Sequence, residues 1–93
     1  FPSSSRDLNI LISQSYSYTE IETVLLNSKI KFLHSLALAN TFEGKGIPDG
    51  SISMTLRFKF QSPSKSLHES EINDSMDHAF SLLNKALKAK IRS

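Results

Sequence analysis

Ser51-Ile52-Ser53-Met54-Thr55-Leu56-Arg57-Phe58-Lys59-Phe60 alternates without a break, Ile52, Met54, Leu56, Phe58 and Phe60 on one side and Ser53, Thr55, Arg57 and Lys59 on the other. A period of two is the signature of a strand with one face buried and one wet. It points to an antiparallel sheet, whose second face can meet solvent, rather than to a parallel sheet covered on both sides. Just upstream, residues 43–50 hold all three glycines and one of the three prolines, so this segment is expected to be a hairpin loop. The segment Leu33 to Phe42 that leads into it reads as the partner strand, with Leu36 and Leu38 alternating with Ser35, Ala37 and Ala39. Its Ala and Leu content also admits a helix.

Further outward, Leu8, Ile10 and Ile12 alternate with Asn9, Leu11 and Ser13, which predicts a first strand over about residues 6–14. Thr19 and Glu22 form a capping-box pattern, and Ile21, Val24, Leu25 and Ser28 follow at helical spacing, so a helix is expected from Glu20 to Lys29. After the break at Ser62-Pro63-Ser64-Lys65, apolar residues from Ile72 to Leu87 recur at three- and four-residue steps and predict a second helix over Glu69 to Leu87. Its N-cap is Ser66 or His68, with Ser66 and Glu69 making the better box. A short strand over 88–92 completes the order βαββαβ.

That order is the split β-α-β arrangement of an α+β, ferredoxin-like sandwich: a four-stranded antiparallel sheet with two helices on one face. Two helices cover only one face of such a sheet. Function is therefore expected on the other.

Composition restricts what that function can be. With 93 residues, 39% apolar and 22% charged, residues 1–93 are expected to form one small domain. A domain of this size buries only about 60–65% of its unfolded surface, which leaves little room for an enclosed catalytic cavity. The absence of cysteine removes disulfides, thiolate metal sites and cysteine nucleophiles together. No apolar run approaches the roughly 20 residues of a membrane span, and the N-terminus has no secretory pattern, so a cytoplasmic protein without a membrane partner is expected. A start at Phe1-Pro2 rather than methionine points to a domain excised from a longer chain. Net charge is only +2, but Lys85, Lys88, Lys90 and Arg92 gather at the C-terminus while Glu69, Glu71, Asp74 and Asp77 crowd one segment. Such segregation permits a phosphate-attracting face; half of it is equally the charge bias that suits a helix dipole.

No catalytic residue stands out. His34, His68 and His78 lack the spacing of metal ligands, no serine sits in a GxSxG elbow, and Gly44-x-Gly46 has neither the pattern nor the following helix of a phosphate loop. What remains is the polar face Ser53-x-Thr55-x-Arg57-x-Lys59, beside Asn9 on strand one and Phe42 at the end of strand two. Small polar groups and an aromatic on an open sheet suit splayed RNA bases, and Arg and Lys suit phosphates.

Read in order, Phe1-Pro2-x-x-x-Arg6-Asp7-Leu8, Gly44-x-Gly46-Ile47-Pro48-x-Gly50-x-x-Ser53, Ser66-Leu67-x-x-x-Glu71-Ile72 and Ile91-Arg92 resemble the ferredoxin-fold anticodon-binding family over essentially the whole chain. The glycine loop resembles the version found in the β subunit of bacterial-type phenylalanyl-tRNA synthetase. The resemblance implies a non-catalytic domain that packs against the anticodon stem-loop of tRNA-Phe. ATP, phenylalanine and magnesium would bind in a separate α subunit, which joins the rest of the β subunit in a heterotetramer. By motif position it places anticodon contacts on Asn9, Asn40, Phe42 and Ser53. The family commonly reads Phe-Asp-x-Tyr where this chain has Ala39-Asn40-Thr41-Phe42, so an acid becomes an amide and a phenol loses its hydroxyl.

Three points stay open in the sequence. In an unbroken strand Leu36, Leu38, Asn40 and Phe42 share one face; a bulge near Ala39 turns the last two outward, and without one Phe42 is core. Arg6-Asp7 reads better as an ion pair or backbone anchor of strand one than as a contact, and Arg92 as a phosphate contact or a packing cap. The competing functional class is a protein-interaction or dimerisation module, which an apolar open face favours. An acylphosphatase-like enzyme lacks its phosphate loop.

Overall fold

The computed structural model describes residues 1–92, arranged as β1 (Ser4–Ser13), α1 (Tyr18–Asn27), β2 (Leu33–Phe42), β3 (Ser51–Phe60), α2 (Glu69–Leu87) and β4 (Lys90–Ile91). The four strands form one antiparallel sheet in the order β2-β3-β1-β4. Both central strands are the apolar-alternating ones, because only a central strand pairs on both edges and buries one whole face. Ile10 and Ile12 of β1 and Met54, Leu56, Phe58 and Phe60 of β3 meet Ile21 and Leu25 of α1 and Ile72, Ala79 and Leu83 of α2 in one core. The ferredoxin-like α+β architecture expected from the alternation is the observed one.

The ends of the elements depart from the periodicity where local capping chemistry wins. Helix α1 begins two residues before the expected Glu20: Ser17 is its N-cap, and its Oγ accepts from the Glu20 N–H at 3.2 Å. Ser17-x-x-Glu20 carries the same pattern as Thr19-x-x-Glu22, and the earlier start packs Tyr18 against the core. Helix α2 is capped at His68 rather than Ser66. The Glu71 carboxylate accepts from the His68 N–H at 3.0 Å and from Lys65 Nζ at 2.7 Å. At its other end Lys88 adopts a left-handed φ of 58°, and Ala89 N–H reaches back to the Leu83 carbonyl at 3.3 Å, a Schellman-type closure. That closure takes residues 88 and 89 out of the expected last strand, which shrinks to Lys90–Ile91 and one further bond, Arg92 N–H to the Asn9 carbonyl at 3.0 Å.

Tyr18 carries an anomaly. Its hydroxyl is buried and makes no hydrogen bond among the described residues. Burial first, then the nearby Glu22 carboxylate, push its pKa up to about 12. An unsatisfied buried hydroxyl costs about 1–3 kcal/mol, so Tyr18→Phe is expected to raise stability by about 1 kcal/mol in chemical denaturation. The tyrosine's contribution is fully present below its ordinary pKa of 10.0 and is lost as pH rises through about 12. The Phe variant should lack that part of the alkaline loss, and destabilisation by the substitution would mean the hydroxyl is bonded after all.

Candidate nucleic-acid interface

The strand pairs locate every residue of the uncovered face. Across β1 and β3, Asp7 faces Arg57, Asn9 faces Thr55 and Leu11 faces Ser53. On the far side of β3, Ala37 faces Arg57, Asn40 faces Thr55 and Phe42 faces Ser53. Strand β2 reaches this arrangement through register shifts between Leu33 and Ser35 and between Leu38 and Asn40. Ala39 is the extra residue of the second shift, so Leu36 and Leu38 share the helix side while Asn40 and Phe42 join the open side. Of the two readings open in the sequence, the bulge is the one realised, and Phe42 is 42% exposed. The shift at His34 leaves no mark in the apolar pattern.

The seven residues singled out in the sequence, Asn9, Asn40, Phe42, Ser53, Thr55, Arg57 and Lys59, thus lie on one face, but they are not equally available. Thr55 Oγ1 donates to Asn9 Oδ1 at 2.6 Å. Arg57 is held by Asp7, Nε to Oδ1 at 3.0 Å and Nη2 to Oδ2 at 3.1 Å, whereas the Arg6 guanidinium, among the described residues, bonds only the neighbouring Ser5 carbonyl. The partner of Asp7 is therefore Arg57 and not its neighbour in sequence. The guanidinium hydrogen bond holds the Asp7 carboxyl below its ordinary range, and the same bond and charge raise Arg57, so the pair is ionised at neutral pH. Lys59 is exposed and has no carboxylate within ion-pair distance among the described residues. Ser53 departs from the expectation of an accessible contact: it is 3% exposed despite its outward register.

Arg92 reaches across to Ser53. Its Nη1 donates to Ser53 Oγ at 3.2 Å, and its guanidinium carbon lies 5.3 Å from the centroid of the Phe42 ring, within cation–π range. From the β4 edge this one side chain reaches over β1 to β3 and β2. Sequence reading left Arg92 undecided because nothing local tells whether the last residues pair with β1. The backbone bond to Asn9 is what aims it. Arg57, Lys59, Lys90 and Arg92 give the face four cations against one carboxylate, Asp7, among the described register positions.

Two clefts, of about 340 and 410 Å³, lie elsewhere: one beside Lys31, Asp74 and His78, the other beside Phe1 and Gln61. Neither is lined by residues of the polar face. No group of three or more His, Cys, Asp or Glu side chains that could hold a metal occurs among the described residues. The sequence also carries no phosphate-cradling glycine loop ahead of a helix. No helix among them is long and apolar enough to cross a membrane.

A ferredoxin-like sheet with helices on one side and an open, cationic, aromatic-bearing surface on the other defines a binding domain of the α+β class. Residues 1–92 match the ferredoxin-fold anticodon binding domain, and the chain belongs to that family. It is similar to phenylalanine–tRNA ligase beta subunits: 33% identical over 92 residues to that of Syntrophotalea carbinolica and 29% over 93 to that of Acinetobacter baylyi. The Porphyromonas gingivalis subunit is 30% identical over 92 residues. These matches cover 99–100% of this chain but only 11–12% of the relatives' length.

Proposed function

We propose that this domain holds the anticodon stem-loop of tRNA-Phe on behalf of a phenylalanine–tRNA ligase, as the β-subunit part of a heterotetramer. ATP, phenylalanine and magnesium would be handled by the α subunit. The observation that carries the reading is the placement of Phe42, Asn40 and the Asn9–Thr55 pair side by side on the uncovered face, with Arg92 over the ring and Lys59 further along. Phe42 offers a surface for stacking, Asn40 and Asn9 offer amides for base edges, and the cations attract the phosphate backbone. Without a hydroxyl, Phe42 can stack but cannot donate. Asn40 offers both a donor and an acceptor.

A protein-interaction role is less well supported. Outward apolar side chains on this face amount to Leu11, the small Ala37 and Phe42, with Arg92 over the last, whereas the centre of a protein interface is depleted in charge. The test is a titration of the isotope-labelled chain with the tRNA-Phe anticodon stem-loop, followed by NMR. Shifts are expected at Asn9, Asn40, Phe42, Thr55, Lys59 and Arg92. Shifts confined to α1 and α2 would overturn the reading.

A further inference from the structure

We propose that Asp7 sharpens the selectivity of the polar face by occupying the fork of Arg57 and so denying RNA phosphates a free guanidinium at the centre of the sheet. The proposal rests on the tRNA-holding reading above.

Asp7 and Arg57 stand opposite each other in the middle of the β1–β3 ladder, joined by two parallel bonds of 3.0 and 3.1 Å. This is the fork-to-fork geometry in which a carboxylate takes the place that a phosphate would take. On its other side Arg57 has only Ala37, too small and apolar to compete. Both side chains are about half exposed, at 55% and 42%, and exposed pairs of this kind contribute little to folding. What the carboxylate does change is the field of the face. It is the one acid among the outward positions of β1, β2, β3 and β4, in bonding contact with the most central cation.

Any phosphate approaching Arg57 must displace Asp7 or share the guanidinium while facing a like charge. That penalty falls on backbone contacts, which are made alike with every RNA sequence. Stacking on Phe42 and hydrogen bonding at Asn40 and the Asn9–Thr55 pair involve bases and escape it. Selectivity is a difference of affinities, and an element that weakens the common, sequence-blind part leaves the base-dependent part to discriminate.

Asp7→Asn keeps the shape and removes the charge. Binding is followed by fluorescence anisotropy across a salt series, with the tRNA-Phe anticodon stem-loop and with a hairpin of the same stem and an unrelated loop. The variant is expected to bind the unrelated hairpin about three- to tenfold more tightly near 0.1 M salt, with a log–log salt slope steeper by about 0.7–0.9. The stem-loop should gain less, so the ratio between the two RNAs falls. In an Arg57→Gln background the same substitution should have little effect. Asp7→Ser serves as a second variant, and thermal unfolding checks that each chain is folded.

Unchanged affinities in folded Asp7 variants, with wild type still discriminating, would overturn the proposal alone. A gain that persists undiminished in the Arg57→Gln background would also overturn it, since it would come from the bare charge of Asp7. A wild-type chain that binds both hairpins equally would overturn the tRNA-holding reading and this proposal with it.

Discussion

Phe58→Ala is expected to cost about 3–5 kcal/mol of folding stability, read as a drop in the midpoint of chemical denaturation at unchanged slope. Phe58 is fully buried in the second half of β3, and its ring lies parallel to that of Phe60 with centroids 6.1 Å apart. It touches the layer where the sheet meets both helices, so neighbours cannot collapse into the space without moving an element. Domains of this size have about 5–15 kcal/mol in total, and the loss would therefore be a large fraction of it. Lys59→Ala, one residue on and exposed, should change stability by no more than about 0.5 kcal/mol. A loss below about 1 kcal/mol at Phe58 would mean that the strand does not bury this face.

Phe42→Ala carries the largest expected effect on binding. Stacking of a base on an aromatic ring contributes about 1–3 kcal/mol and releases no counterions, so stem-loop affinity should fall by that amount with little change in salt dependence. Lys59→Ala should behave in the opposite way, with a modest loss of affinity and a shallower salt slope, by about 0.7–0.9 if one phosphate contact goes. The two variants separate stacking from charge on the same face. Phe42 is only partly exposed and lies under Arg92, so unfolding curves must accompany the binding data. Destabilisation of several kcal/mol by Phe42→Ala, with normal binding by Phe42→Leu, would show that the ring supports the fold rather than a base.

The bulge at Ala39 shows where reading along the chain stops. Alternation in β3 is uninterrupted, and the ladder follows it residue for residue from Ser51 to Phe60. In β2 the sequence Leu36-Ala37-Leu38-Ala39-Asn40-Thr41-Phe42 fits a strand with Phe42 inside as well as one with a bulge and Phe42 outside. The difference is one unpaired residue, and what selects it is pairing with β3: Leu38 matches Leu56 on the core side and Asn40 matches Thr55 on the wet side.

By itself the sequence determined the class of fold, both helices to within about a turn, the sorting of β1 and β3 into an apolar and a polar face, and the family. Each of these rests on local periodicity or on ordered short motifs, and both are one-dimensional quantities. Only the tertiary structure decided which polar side chains are free. Asp7 and Arg57 are 50 positions apart, and Arg92 lies 39 from Ser53. Their meeting depends on sheet order and register, which the spacing of residues along the chain does not encode. Arg57 therefore reads in sequence as a free cation and stands in the fold as half of an ion pair, while Arg92, beyond the last strand, lies over Ser53 and Phe42.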